Sequence, residues 1–329
     1  MSATPLEPLR FDPILKPLIW GGRRLGSLLD KPIGDGPCYA ESWEISDHRD
    51  DVSRVADGPL AGTALRDLIR DRGAEIFGPG RVPQDGHFPL LVKFLDAHQV
   101  LSVQVHPDDD LGFRLVKDRG KTEAWVIVHA EPGSLIYAGL RPGVARSDFA
   151  GAIESGEVEP LLHRFEPAPG DCVMIPAGTV HAIGAGIVLA EIQQMSDATF
   201  RAFDWNRVGV DGRPRPLHIA EALEATDFAA GPVDPIRTAA EAIPGGTREP
   251  LARCRYFAIE RLRLTGPAAV GSADRFTIAI GLEGSAEIRH PRGSTPIRRG
   301  QTVLLPASLG AIEAAPGPEG ATLLTCIVP

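Results

Sequence analysis

Apolar and polar positions alternate cleanly over Leu101–His106, with Leu101, Val103 and Val105 on one face and Ser102, Gln104 and His106 on the other. That period predicts a half-buried strand. Pro107 and the acidic run Asp108, Asp109 and Asp110 end it at once, which leaves His106 at its rim. A second strand is predicted over Lys121–Val128, with Lys121 and Glu123 sharing a face. Farther on, Cys172, Val173, Met174 and Ile175 form a short apolar run bounded by turn formers, the pattern of a buried strand. Pro176 and Gly178 then turn the chain, and Val180–Ile183 starts a new extended run with His181 just past the corner. Across the chain, 30 prolines and 36 glycines break up short apolar runs, which predicts a mainly β protein with few helices. Helical spacing is confined to Thr63–Phe77, Ser147–Phe165 and Leu217–Phe228, the second opening on Ser147 and Asp148 as its N-cap.

The rhythm of glycine, strand and proline occurs twice. Gly170 and Pro176 are separated by five residues, and so are Gly300 and Pro306. Where the first copy continues to Gly178 and His181, the second has Ser308 and Ala311. The second copy therefore repeats the strand pattern without its polar chemistry. The proline- and glycine-rich stretch Pro232–Pro250 reads as a linker between the two.

Two imidazoles, a carboxylate and the Gln104 amide at strand ends would suit Zn²⁺ or another borderline divalent ion. Taken singly, each has an ordinary explanation. A lone histidine on a strand is more often hydrogen-bonded structure than a ligand, and Glu123 could merely pair with Lys121. His48, His87, His98, His129, His163, His218 and His290 have no comparable partners in the sequence and read as surface or core.

The segment Gly170-x5-Pro176-x-Gly178-x2-His181 resembles the second motif of the cupins, small jelly-roll barrels that hold a metal. FPLLVKFLDA (88–97), LSVQVHPDD (101–109), GKTEAW (120–125), PAGTVHAIG (176–184) and EIQQMSDATFRAFDW (191–205) resemble type I mannose-6-phosphate isomerases of the short bacterial form. PLIWGG (17–22) and ESWEIS (41–46) are similar to the N-terminal blocks of that family. The resemblance implies two jelly-roll units. The first, 1–235, would be catalytic, with a helical insertion near 147–165; the second, 236–329, would be a metal-free cupin-like unit. It implies one zinc per chain held by Gln104, His106, Glu123 and His181, a catalytic arginine at Arg201, and Ser102, Lys121, Glu191 and Asp197 lining the site. The implied reaction interconverts mannose 6-phosphate and fructose 6-phosphate.

Such a reaction removes a proton beside a carbonyl and returns it to the neighbouring carbon, so the costly species is an enediolate. A divalent ion with one carboxylate ligand keeps a net positive charge for it, and a neutral Gln104 does not quench that charge. Lys121, Glu191 and Asp197 are the candidate proton carriers. Ser102, Lys121 and Arg201 are the candidate substrate ligands, with Arg23 or Lys93 as further cations for a phosphate. Without the family, Arg201 reads first as a partner of Asp197 or Asp204 on a solvated loop. An isomerase of the same fold for other or unphosphorylated sugars, and a cupin that binds a sugar or metal without turnover, are the competing expectations.

Charge narrows the partners. Acidic residues number 43 against 34 basic, a formal net charge of −9, which argues against nucleic acid. The four cysteines are dispersed and expected to be reduced. No leader pattern or long apolar run is evident, so the expectation is a cytoplasmic protein with no membrane partner, a monomer or homodimer acting on a sugar phosphate.

Overall fold

The computed structural model describes residues 5–208 and 212–329. Its longer strands form two antiparallel sheets that face each other, with a third behind them, and a short pair, Asp47–His48 with Asp51–Val52, makes a separate two-stranded sheet. The first has six strands in the order Ile14–Lys16, Glu41–Ile45, Leu90–Ala97, Ile187–Gln194, Glu123–Ala130 and Cys172–Ile175. Facing it is a five-stranded sheet ordered Phe200–Phe203, Val103–Val105, His181–Ile183, Ile136–Leu140 and Leu162–Phe165. The third is an eight-stranded sheet, built from Glu241–Ile243 through Ile312–Ile327. Each strand order runs from one edge to another without returning, so no sheet closes into a barrel among the described residues.

Side-chain alternation along the central strands decides what lies between the first two sheets. Leu95, Trp125, Ile127, Val173, Ile175, Ile187 and Leu189 meet Ile136, Ala138 and Ile183 of the facing sheet in one buried cluster. Two residues beyond the last apolar position on each of three strands, the same face turns polar: Lys93 after Leu95, Glu123 before Trp125, Glu191 after Leu189. One end of the inter-sheet space is thus sealed by hydrocarbon and the other is walled by charge.

The outer faces are also covered. On the five-stranded sheet, helices Arg146–Ser155 and Ile219–Ala225 bury Phe149, Ile153, Ala222 and Ala225 against Val103, Val105 and Ala182. Behind the six-stranded sheet, Val92, Phe94, Val126 and Ile192 join Ile259, Ile278, Leu304 and Leu324 of the third sheet in one core. Phe276 sits at that seam, its ring centroid 5.0 Å from Phe88 and 5.6 Å from Phe77. Backbone hydrogen bonds of 2.8 Å in both directions between Leu9 and Leu304 tie the N-terminal segment to the third sheet.

Several local expectations change. The helical stretch at 147–165 is a helix only over Arg146–Ser155, stopped by Gly156 in the left-handed region (φ 77°) and followed by the edge strand Leu162–Phe165. Its N-cap is Ala145, whose N–H donates to Asp148 Oδ2 at 2.9 Å, and Ser147 lies inside the helix. Asp108 does more than end a strand: its side chain accepts from Leu111 N and caps a helix over Asp109–Val116. Within the supposed linker Pro232–Pro250, the hairpin Glu241–Ile243 with Gly246–Arg253 turns at Gly245 (φ 81°). Val233 and Ile236 donate to Ala138 and Cys172 carbonyls, which fastens the rest to the sheets. All four cysteines are unpaired.

Phe276 fills the seam between sheets at 2% exposure. Phe276→Ala is expected to lower unfolding free energy by about 3–5 kcal/mol, since truncation leaves a cavity between two aromatic rings. Urea unfolding of the full chain would measure it, and a loss under about 1 kcal/mol would mean that the seam carries little of the stability.

Candidate metal centre and cavity

Pairing register brings the predicted residues together. Gln104 stands opposite both His181 and Arg201 on its two neighbouring strands, so three polar side chains form a row across the five-stranded sheet. On the facing sheet, Glu191 stands opposite Lys93 on one side and Trp125 on the other. The row and the charged wall meet at the polar end of the inter-sheet space.

His106, Glu123 and His181 place one donor atom each within 4.8 Å of one another, and all three are buried. His106 Nε2 lies 3.3 Å from Glu123 Oε2, and His181 Nε2 lies 3.5 Å from Glu123 Oε1. Behind them, the Nδ1 atoms of His106 and His181 each lie 2.9 Å from a backbone carbonyl, of Ala198 and Thr179 respectively. With Nδ1–H donating, each Nε2 keeps a lone pair aimed at the same point, which is how imidazoles are oriented for a cation. Gln104 brings its side-chain amide to 3.3 Å from His181 Nε2.

The donor set fits a divalent cation on an observation internal to the site. His106 Nε2 and Glu123 Oε2 are fully buried yet make no hydrogen bond, a costly arrangement, and they are the two such atoms that belong to the converging donor group. Charge points the same way. Glu41, Glu123 and Glu191 face the ammoniums of Lys93 and Lys121, leaving one negative charge in excess.

Titration follows from this crowding. Burial, with Lys121 adding to it, pushes the His106 imidazole down to about 3, and burial lowers His181 as well. Burial alone would raise the Glu123 carboxyl, but Lys121 and the imidazoles outweigh it and hold the group well below the ordinary range. Glu191 goes the other way, raised by burial and then by the charge of Glu123. Its Oε2 accepts from the Trp125 indole at 3.0 Å, and Lys93 lies 3.1 Å from Oε1. Burial disfavours the Lys93 ammonium, yet Glu191 and Glu41 overcome that penalty and raise its pKa.

A cavity of about 560 Å³ opens beside the donors. Ser102, Gln104, Lys121, Glu191, Asp197 and Arg201 line it, with Asp197 exposed. Arg201 pairs with neither Asp197 nor Asp204. Its Nε donates to Ser102 Oγ at 3.2 Å and its Nη1 to the Pro216 carbonyl at 2.9 Å. Asp204 is taken by Arg207 and Arg215.

Arg23 is not part of the lining; it donates to the carbonyls of Gly34 and Gly36. Sequence reasoning missed Glu41, Trp20 and Arg215, which also line the cavity. It also missed His218, whose Nδ1 accepts from Arg201 N at 3.2 Å. Glu41 sits in the ESWEIS block and shares a face with Trp43, to whose indole it is hydrogen-bonded, but the block also carries Glu44, and the sequence does not tell the two carboxylates apart.

Known proteins resemble this chain over most of its length. Residues 9–124 match the family model "Phosphomannose isomerase type I, catalytic domain", and 248–315 match "Mannose-6-phosphate isomerase, cupin domain". The second match falls on the stretch that the glycine and proline repeat singled out. The "Probable mannose-6-phosphate isomerase GmuF" of Bacillus subtilis is 35% identical over 92% of this chain and 95% of its own length. "Mannose-6-phosphate isomerase ManA" of the same organism is 33% identical over 93% and 95%. The crystal structure of the mannose 6-phosphate isomerase from Bacillus subtilis superposes with a TM-score of 0.89 at 31% identity, covering 98% of this chain and 99% of that one. With identity and fold agreeing along nearly the whole chain, this protein belongs to the type I mannose-6-phosphate isomerase family of enzymes.

Proposed function

We propose that this protein interconverts mannose 6-phosphate and fructose 6-phosphate through an enediol(ate), at one Zn²⁺ held by Gln104, His106, Glu123 and His181. The observation that carries the reading is the convergence of the buried donors of His106, Glu123 and His181 beside Gln104 and Lys121, which line the adjoining cavity. When bound, the ion would supply positive charge against the negative charge that develops on the substrate oxygens. The reading includes a 1–235 metal-bearing catalytic cupin unit and a 236–329 degenerate, metal-free cupin-like unit, in a cytoplasmic monomer or homodimer.

The chain's own residues do the rest. Glu191 is the group we assign to proton transfer between the two carbons. Its carboxyl lines the cavity, and burial with the nearby charge of Glu123 raises its pKa above the ordinary carboxylate value, the direction that favours a group returning a proton as well as taking one. Trp125 and Lys93 hold that carboxylate from behind. Lys121 keeps Glu123 ionised from 3.3 Å and presents a cation to the substrate oxygens. Arg201 lines the same cavity and offers its remaining guanidinium nitrogen to a phosphate, with Ser102 fixing its orientation, while Arg215, held by Asp204, adds positive charge to the same wall. Asp197, exposed at the mouth, is suited to exchanging protons with solvent.

A coupled assay for mannose 6-phosphate should find turnover in the zinc-loaded protein, its loss on chelation and its return with Zn²⁺. Free mannose serves as the control, and equal turnover of both sugars would move the reading to an isomerase of unphosphorylated sugars. His181→Ala should lose metal and activity together while staying folded. Arg201→Ala should keep its metal and lose about 10²–10³ in kcat/KM, as expected when a charge-stabilising donor is removed. Glu191→Gln should keep metal and substrate affinity and lose about 10²–10⁴ in kcat; a variant with near-native kcat would rule Glu191 out as the proton carrier.

Acid should destabilise the metal-free protein with a defined sign. An unfolded histidine binds a proton near pH 6.5, whereas folded His106 resists one down to about 3. Between those values the unfolded chain holds more protons, so stability falls as pH falls, by about 1.4 kcal/mol per unit for this one group. Urea midpoints of chelated protein at pH 7 and pH 5 would measure it, with the lower midpoint expected at pH 5.

A further inference from the structure

The third sheet keeps the pairing geometry of the first. Gly170 and Gly300 both adopt positive φ (90° and 79°), and each precedes a strand that ends at a proline. Register then aligns the two site walls residue by residue. Ile175 stands opposite Glu123, and Leu305 stands opposite Thr277. Trp125 stands opposite Glu191, and Ala279 opposite Thr325. Glu191 stands opposite Lys93, and Thr325 opposite Glu260. The positions of Glu123, Glu191 and Lys93 are therefore held by Thr277, Thr325 and Glu260.

The place is not filled in. A cleft of about 290 Å³ opens there, lined by Thr277, Thr325 and Glu260 and flanked by Arg248, Arg253 and Arg275. Arg248 pairs with Glu241 at 2.7 Å, and Arg275 donates to the Val328 carbonyl at 3.2 Å. The exposed Arg253 side chain makes no hydrogen bond or ion pair among the described residues, and the Thr277 hydroxyl, on a residue otherwise buried, makes none either. One carboxylate lines the cleft among three arginines, a balance of charge that favours an anion over a cation. An unpaired guanidinium selects an oxyanion, and a carboxylate beside two hydroxyls selects a molecule rich in O–H groups.

We propose that this cleft is a second binding site for a phosphate monoester of a polyhydroxylated molecule, a sugar phosphate, with Arg253 taking the phosphate and Glu260, Thr277 and Thr325 taking hydroxyls. It lies on a different sheet from the catalytic cavity and does not depend on the isomerase reading. The test is calorimetric titration of the zinc-loaded full chain with fructose 6-phosphate, in the native protein, Arg253→Ala, Thr277→Val and Arg201→Ala. The native protein should bind at a site that Arg253→Ala weakens about 10–100-fold, the loss expected for one charge-assisted hydrogen bond. Arg201→Ala should retain that site. Thr277→Val, which preserves shape, should weaken it without changing kcat. Inorganic phosphate should bind the same site at least about ten-fold more weakly. Native-like binding by Arg253→Ala overturns the proposal, and equal affinity for inorganic phosphate overturns its sugar part. Failure of the isomerase reading would appear separately, as absent turnover in the native protein.

Discussion

Like charges forced together at one end of the inter-sheet space are the constraint on which this protein's site depends. Glu41, Glu123 and Glu191 could not share a low-dielectric wall unless Lys93 and Lys121 stood between them. Lys93 is the pivot: it is 4% exposed, within 3.2 Å of Glu41 and 3.1 Å of Glu191. The remaining negative charge and the unpartnered donors of His106 and Glu123 make a cation the natural completion of the wall.

That constraint explains the division of labour between the sheets. The six-stranded sheet is covered on both faces, which makes it rigid enough to hold buried ions at fixed separations. The five-stranded sheet supplies the neutral donors and Arg201, with its back sealed by two helices. The third sheet stabilises the second face of the charged one through the phenylalanine seam. In packing terms, the C-terminal stretch is part of what holds the site's geometry.

Comparing the two glycine and proline repeats shows how one pairing pattern supports different chemistry. Both keep a positive-φ glycine, a strand and a proline. In one, the inward positions carry Glu123 and Glu191; in the other they carry Thr277 and Thr325. Pairing is a property of the backbone, so a site can change its ligands without changing its register.

The sequence by itself determined the mainly β character and singled out His106, Glu123, His181 and Gln104 as candidates, because period-two alternation and turn chemistry are local signals. It also supplied the family, through several motifs in order. It did not reveal the helix over Asp109–Val116, since a capping aspartate in an acidic run looks like the end of a strand. It misread the hairpin at Glu241–Arg253 as linker, because glycine and proline mark a tight turn as readily as a flexible one. Only the tertiary structure decided that Arg201 reaches Ser102 rather than Asp204, that Arg23 stays outside, and that Glu41 and Arg215 stand inside. Those outcomes depend on which strands lie side by side, and side-chain partners more than 50 residues apart leave no periodic trace in the chain that encodes them.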